Sequence, residues 1–465
     1  MGIARFLLRL NTFRRTPECR GVLTVVAIGF VIRLGWAIWA MRSAPTILGD
    51  QYSYWYYGTE IAHGRGYISY TTGTATAYYP IGFPALLGVV YWFGLHTPLP
   101  DNAAQLTALT NVLFSTASIA LVYLIARRCF SHRVGLLAAW ITALYPGLVL
   151  GTATFHLETV YIFTALLAVA IVVDHSWTTG PMSRTRLIWF ALALAASALI
   201  RPFSLPILLA LAVAVWCSGL GWRSVVRHVS WVLLPLVLLL VPWTARNEAR
   251  FHHVIPFSTN LGDGLCMSRF PGSNGGFSWT DHAWCVDPNM PDAQRNVANT
   301  KMAIKFVLHH PGEELRQIPK RLALMMGNDR DMLLAFEDNG SNLRMVSPVR
   351  TAVKYTADWY FHLSWLLTLG GVGLLCRGWR DDRITGPRRA IVGTTMLSLF
   401  ILPIGLWGNP RFHMPLLPFF AIGAAASISW MFDRYRSAPS PEESPSSDRG
   451  QDSEVPAGAM NTAVG

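Results

Sequence analysis

A carboxylate, Asp50, stands in Gly49-Asp50-Gln51-Tyr52, a few residues past the first apolar run of the chain. Tyr52, Tyr54, Trp55, Tyr56 and Tyr57 follow, then Gly64-Arg65-Gly66-Tyr67 and Tyr78-Tyr79-Pro80-Ile81-Gly82-Phe83-Pro84. A carboxylate held in an aromatic, glycine-punctuated loop at a membrane edge can act as a general base, taking a proton from an attacking hydroxyl. The bland alternative is a cap for a helix through the aromatic segment, because Asp favours that position. Further ionisable residues stand at the ends of other apolar runs. They occur in Thr154-Phe155-His156-Leu157-Glu158, in Arg201-Pro202, in Trp243-Thr244-Ala245-Arg246-Asn247 and in Asn409-Pro410-Arg411-Phe412-His413. Ionisable groups at membrane depth are costly and usually face a protein interior or a wet cavity. The plainer roles are snorkelling to headgroups for Arg201, Arg246 and Arg411, and pairing with a neighbouring arginine for Glu158. Arg33, deep inside the first apolar run, reads as a structural polar partner within a bundle. The Tyr/Trp run at 52–57 suits an interfacial belt, and aromatic faces also cover sugars.

Whether these groups meet depends on the elements that carry them. The chain has 465 residues, of which 52% are hydrophobic and 14% charged. Soluble domains carry about 25% charged residues, so an all-α polytopic membrane protein is expected. The net charge of +12 is spread over short loops, which suits topology control and anionic headgroups and not nucleic acid. A span needs about 20 mostly apolar residues. The candidates are 21–41, 104–126, 134–151, 157–173, 186–200, 203–217, 229–243, 356–376, 390–407 and 412–431, with 81–95 ambiguous. Charge decides that case. If 81–95 does not cross, Arg127, Arg128, Arg133, Arg184, Arg186, Arg223, Arg227, Arg377, Arg380, Arg383, Arg388 and Arg389 fall inside. Only Arg42, Arg65, Arg201 and Arg411 are then left in the short outside segments. A crossing at 81–95 would put Arg127, Arg128 and Arg133 outside, against the positive-inside rule. The expectation is about ten spans, both termini cytoplasmic, and 81–95 as a re-entrant or interfacial helix.

This topology divides the chain into a basic cytoplasmic N-terminus (1–20), an N-terminal membrane module (21–243) with a first outside loop at 42–103, and a long outside loop domain (244–350). C-terminal membrane helices (351–432) and a cytoplasmic tail (433–465) complete it. The arginine-rich N-terminus has no A-x-A-like cleavage site after its apolar run, so the first span reads as uncleaved. The long loop is rich in Gly, Asn, Asp and Pro at first and more helical from about 292. The tail from Ser437 lacks apolar residues to bury and is expected to be disordered. No internal repeat is visible, which disfavours an inverted-repeat transporter. Of six cysteines only Cys266 and Cys285 fall outside, either as a disulfide closing the long loop or as two unpaired small residues. No spacing suggests a zinc site. The same orientation brings Asp50, His156, Glu158, Arg201, Arg246, Arg411 and His413 to one outer interface.

Several of these segments resemble the GT-C integral-membrane glycosyltransferases, in particular the bacterial family 39/83-like enzymes that use polyprenyl-phosphate sugars. The resemblance is carried by Asp50-x-Tyr52, Gly64-x-Gly66-Tyr67 and Tyr79-Pro80-x-Gly82-x-Pro84. It continues in Leu199-Ile200-Arg201-Pro202, Pro242-Trp243-Thr244-Ala245-Arg246-Asn247, Ser258-Thr259-Asn260-Leu261-Gly262 and Pro410-Arg411-Phe412-x-Met414-Pro415, so it covers roughly 20–430. It implies a GT-C-like bundle in the plasma membrane with the active site on the outer face. Asp50 takes the place of the catalytic base, with Glu158 as the assisting acid. Arg246 and Arg411, with Arg201 third, are implied to hold the donor phosphate, and Tyr52, His156, Tyr79 and His413 to contact acceptor or sugar. No cofactor is required on this reading. Some relatives carry a divalent metal near the acids, whereas the first loop here offers only the distant Glu60 beside Asp50, so metal dependence stays open. The implied donor is a polyprenyl-phosphate sugar, a mannose or a pentose, and the acceptor a glycolipid, polysaccharide or protein of the cell envelope. A flippase or transporter of lipid-linked sugars, or a non-catalytic scaffold, are the competing classes.

Overall fold

The structure is a computed structural model and describes residues 17–42, 47–98, 102–278, 285–286, 290–338, 345–377 and 382–436. The N-terminal arginines before residue 17 and the tail from Ser437 lie outside the described residues. The chain is helical throughout, from α1 (Pro17–Ala40), α2 (Gly49–Ala62), α3 (Gly82–His96) and α4 (Ala103–Cys129) to α5 (His132–Ala143), α6 (Pro146–Leu150) and α7 (Glu158–Val173). Next come α8 (Arg184–Ile200), α9 (Ile207–Cys217) and α10 (Trp222–Phe251). The long loop contributes α11 (Leu261–Cys266), α12 (Asp292–His309), α13 (Pro311–Met326) and α14 (Asp331–Asp338). Then follow α15 (Ser347–Cys376), α16 (Gly386–Ile404), a 3-10 segment (Pro410–Leu416) and α17 (Leu417–Arg436).

Local chemistry starts several of these helices. Asn102 accepts from the amides of Ala104 and Gln105 ahead of α4, Ser131 from Val134 ahead of α5, and Ser183 from Arg186 ahead of α8. Each side chain satisfies amides that the first helical turn leaves unpaired. Among the described residues five helices are long and apolar enough to cross a membrane, namely α1, α4, α10, α15 and the stretch Pro410–Arg436. The pair α5–α6 is bent by 57° and makes a sixth. At about 1.5 Å per residue, the sixteen-residue α7 covers about 24 Å, short of the roughly 30 Å hydrocarbon layer. Length and composition alone therefore support five or six spans of the ten expected. The segment 81–95 is the apolar helix α3, packed on α2 and α8.

The core lies around α7, which buries residues on every side, including Tyr161, Ile162, Leu166, Val169 and Val172. A helix apolar all round belongs in such a position. Two close approaches need glycine. A Cβ at Gly371 would lie 2.3 Å from the Gly423 carbonyl oxygen, where α15 crosses α17. A Cβ at Gly82 would lie 2.6 Å from the Leu199 carbonyl carbon, so the start of α3 rests on the end of α8, beside Arg201. Arg33 ties α1 to the bundle by donating to Ser115 Oγ (2.7 Å) and to the carbonyls of Ala143 (2.8 Å), Thr142 (3.0 Å) and Gly29 (3.2 Å).

Two expectations shift. The aromatic segment after Asp50 is not a loop but the helix α2, whose N-cap is Leu48 with no side-chain cap. Asp50 stands in the first turn and its carboxylate is engaged elsewhere. The boundaries of the long loop also move, because α10 runs on to Phe251 and α15 begins at Ser347, so less of 244–350 is irregular.

Candidate active site

The first turn of α2, the Tyr78–Pro80 turn, the Arg201–Phe203 turn and the 3-10 segment at Pro410 surround a cavity of about 630 Å³. Asp50, Tyr54, Tyr79, Arg201 and Arg411 line its polar end. Val254, Phe257, Leu261, Met267, Leu406, Trp407 and Phe412 give it apolar lining, and Asn260, Asp263 and Asn296 add further polar groups. The loop-borne wall is held by buried polar contacts. Asp263 of α11 accepts from Tyr78 Oη (2.9 Å) and Asn299 Nδ2 (2.8 Å) and pairs with Arg295 (3.2 Å). A disulfide joins Cys266, at the end of α11, to Cys285 (Cα–Cα 5.9 Å).

At the polar end one guanidinium serves two carboxylates. Arg411 donates from Nη1 to Asp50 Oδ2 (2.7 Å) and from Nε to Glu158 Oε1 (2.5 Å). Glu158 Oε1 also accepts from Arg201 Nη2 (2.9 Å). Tyr79 Oη donates to the other oxygen of Asp50 (2.5 Å). Arg201 lies over the rings of Tyr161, Phe203 and Phe412 at 5.6–6.0 Å, a setting that suits a weakly hydrated guanidinium. Glu158 is 1% exposed, whereas the Asp50 side chain keeps 40% of its surface open. Asp50 is thus the carboxylate a solute can reach, and Glu158 is the buried anion that anchors two arginines.

Burial pushes the Asp50 carboxyl up, but the Arg411 charge and the Tyr79 hydrogen bond outweigh it and hold the group below its usual value. Burial pushes His156 down to about 3, and Arg411 adds to the effect. The imidazole is therefore neutral, and its Nδ1, 3.9 Å from Glu158 Oε2, makes no ion pair. Neither atom has a hydrogen-bond partner among the described residues.

Asp50, Tyr79, Arg201 and Arg411 line the cavity together, with Glu158 and His156 behind them. Three residues of the expected site lie elsewhere. Arg246 donates to the carbonyls of Thr76 (2.7 Å) and Tyr67 (2.8 Å) and to Asn247 Oδ1 (2.9 Å), so its fork is filled by the first loop, off the cavity wall. Its removal is expected to destabilise the protein, since bonds from a charged donor contribute about 1.5–3 kcal/mol each, while leaving donor KM unchanged. Thermal unfolding and donor saturation curves of Arg246→Gln check this. His413 is fully buried, with Nδ1 2.6 Å from the Met325 carbonyl, Nε2 3.2 Å from Asp329 Oδ1 and its ring stacked on Phe361. Tyr52 packs on Trp55, Tyr56 and Tyr70 instead of lining the cavity.

Sequence reasoning passed over Asp331, whose signal was the charged run Asn328-Asp329-Arg330-Asp331 in the long loop. Burial pushes its carboxyl up to about 6, Arg411 opposing and Glu158 adding to the rise. The native protein therefore holds this proton at pH values where an unfolded carboxyl, near 3.8, has lost it. Stability falls as pH rises from about 4 to about 6 through this group. Asp331→Asn should raise stability at pH 7.5 by about 3 kcal/mol at most, and should change nothing near pH 4. Unfolding curves at the two pH values test it.

The described residues contain no convergence of three His, Cys, Asp or Glu side chains able to hold a metal ion. Asp50 and Glu158 are bridged by Arg411, and Glu60 is taken by both ends of the Arg65 fork at 2.6 Å.

The apolar helices define an all-α polytopic membrane protein. Among solved structures, the chain is similar to the oligosaccharyltransferase of Archaeoglobus fulgidus in its apo form, with TM-score 0.53 and 15% identity. That match covers 91% of this chain and 52% of the other. The same archaeal protein tethered to an acceptor peptide containing the NVT sequon gives 0.52 at 16% identity, over 89% and 50%. ArnT from Cupriavidus metallidurans bound to undecaprenyl phosphate matches over 90% of this chain and 81% of the other at 14% identity, with TM-score 0.40. The chain thus spans about half the length of the archaeal protein. No protein-family model and no curated protein matches the chain.

Proposed function

We propose that the protein is a membrane glycosyltransferase that moves a sugar from a polyprenyl-phosphate donor to a hydroxyl of a cell-envelope acceptor at the outer face of the plasma membrane. The observation that carries this reading is the reachable carboxylate Asp50, paired with Arg411 at the polar end of a half-apolar cavity. The acceptor hydroxyl gives its proton to Asp50 while its oxygen bonds to the anomeric carbon. The bond from that carbon to the phosphate oxygen breaks, and polyprenyl phosphate leaves on the opposite face. A single displacement inverts the centre, so a β-linked donor yields an α-linked product.

Arg411 and Arg201 would meet the leaving phosphate, because arginine stays charged and binds phosphate oxygens in pairs. Arg411 also has a second task. Paired with it, Asp50 is a weak base; a donor phosphate that draws Nη1 away raises Asp50 toward its ordinary value. Base strength then develops once the donor is bound. The apolar lining suits the first isoprene units. The donor sugar, a mannose or a pentose, and the acceptor, a glycolipid, polysaccharide or protein, rest on analogy alone.

The deciding assay gives purified protein in vesicles a panel of polyprenyl-phosphate sugars and measures polyprenyl phosphate release. Release with one donor, increased by an envelope extract, is expected. Transbilayer movement of intact donor without release would mark a flippase and end the proposal.

A further inference from the structure

The hairpin α12–α13 carries large apolar residues on its outer face although polar groups share its inner one. In α13 the residues turned inward are Gln317, Arg321 and Met325, with Arg321 1% exposed and Glu314 beside it. Arg321 binds Glu314 (2.6 Å), Gln317 (2.7 Å) and the Ile404 carbonyl (3.3 Å), while Glu314 also takes Arg269 (2.8 Å). The residues turned outward include Leu315, 66% exposed, and Ile318. In α12 the inward set is Ala293, Asn299, Ala303 and Phe306. Val297, Ile304 and Leu308 fall on the opposite side at i, i+7 and i+11, with Leu308 72% exposed. Such a stripe on a helix needs an apolar medium. Lys301 and Lys305 flank it on α12, and Arg316 and Lys320 are exposed on α13. None of these four has a carboxylate partner within ion-pair distance among the described residues. The inward acids Asp292 and Glu314 already have inward arginines, which leaves Glu313 as the one outward acid.

An apolar stripe beside a row of cations is the composition of a helix that lies in a membrane interface. We infer that α12 and α13 form an interfacial paddle resting on the leaflet at the cavity side of the membrane. Leu308, Ile304, Leu315 and Ile318 sit among the upper acyl chains, and Lys301, Lys305 and Lys320 meet anionic headgroups. The paddle is coupled to the cavity. Asn296 of α12 lines it, and Arg269, which shares Glu314 with Arg321, holds the Gly405 carbonyl (2.6 Å) next to the lining residues Leu406 and Trp407. The leaflet surface thereby sets the depth of the cavity wall. This inference stands without the catalytic proposal, and its test needs no donor.

An environment-sensitive fluorescent amino acid would replace Leu308, Leu315 or, as a control, the exposed Thr72 in the full chain, reconstituted in phosphatidylcholine vesicles with or without phosphatidylglycerol. Lipids brominated near the top of the acyl chain should quench the labels at 308 and 315 but not at 72, and phosphatidylglycerol should deepen the loss. Joint replacement of Lys301, Lys305 and Lys320 by Gln should remove that added loss and spare the basal one. Quenching at 308 and 315 by aqueous iodide and not by bromolipid would overturn the inference. Shielding from both would also overturn it, placing a protein partner or a second copy on this face. An undiminished phosphatidylglycerol effect in the triple variant would remove the headgroup assignment.

Discussion

Asp50→Asn should lower glycosyl transfer by about 10²–10⁴-fold, the usual contribution of a positioned general base, while the protein stays folded. The amide keeps the shape and can still accept from Tyr79, and Arg411 retains Glu158 as its buried anion. What is lost is the capacity to take a proton. The readout is polyprenyl phosphate release under saturating donor, with thermal unfolding in parallel. A variant that turns over at the parental rate would remove Asp50 from the chemistry. The pH profile sharpens the test. Asp50 works as the anion, and its carboxyl is held below the ordinary range near 3.9. The acidic limb of kcat/KM, which reports the free protein, should therefore fall below that range. Tyr79→Phe removes one of the groups that lower Asp50 and should move the limb up. If phosphate draws Arg411 away, the limb of kcat lies higher than that of kcat/KM. Coincident limbs would count against donor-triggered release of the base.

Glu158→Gln should cost about 3–5 kcal/mol of stability, the range for breaking one side of a buried charge cluster. Glu158 is the shared anion of Arg201 (2.9 Å) and Arg411 (2.5 Å). Without it two partly buried guanidiniums lose their shared anion, with Asp50 left as partner of one. Donor KM should also rise, because the arginines lose the anchor that aims them at the cavity. Glu158→Asp keeps the charge on a shorter side chain and should recover part of the stability. An unaltered melting temperature in Glu158→Gln would mean that the cluster is solvated. The two variants separate the carboxylates: Asp50→Asn acts on turnover with little effect on folding, and Glu158→Gln acts on both.

Much of the site could be read from residue types at the ends of apolar runs. Asp50, Glu158, Arg201 and Arg411 are ionisable groups where lipid would penalise them, and that penalty is a property of each residue alone. Arg33 was legible for the same reason. The residues that lie off the cavity share a physical reason, the direction in which a side chain leaves its helix axis. Arg411 and His413 are two residues apart, yet one enters the cavity and the other stacks on Phe361. Arg246, near the end of α10, and Arg411, at the start of the last span, both stand at ends of apolar runs, but the Arg246 fork is filled by carbonyls of the first loop. Nothing local separates the two. The helix α2 was only the alternative reading, because five aromatic residues and two glycines suggest an interfacial turn more than a helix, and packing on α3 overrides that preference. Asp331 went unseen because its raised carboxyl depends on burial beside Arg411 and Glu158, which come from other parts of the chain.

The sequence by itself determined the membrane class, the groups that must leave the lipid and, through counted arginines, the expected side of the membrane they share. These follow from hydropathy and charge, which add along a chain in one dimension. Only the tertiary structure decided that Arg411 bridges Asp50 and Glu158, residues 361 and 253 positions away. Contacts of 2.5–2.7 Å across such separations depend on how every intervening helix is tilted and rotated. That is why Asp50, in the first turn of α2, became a reachable carboxylate with a cation attached, and Glu158 became its buried support.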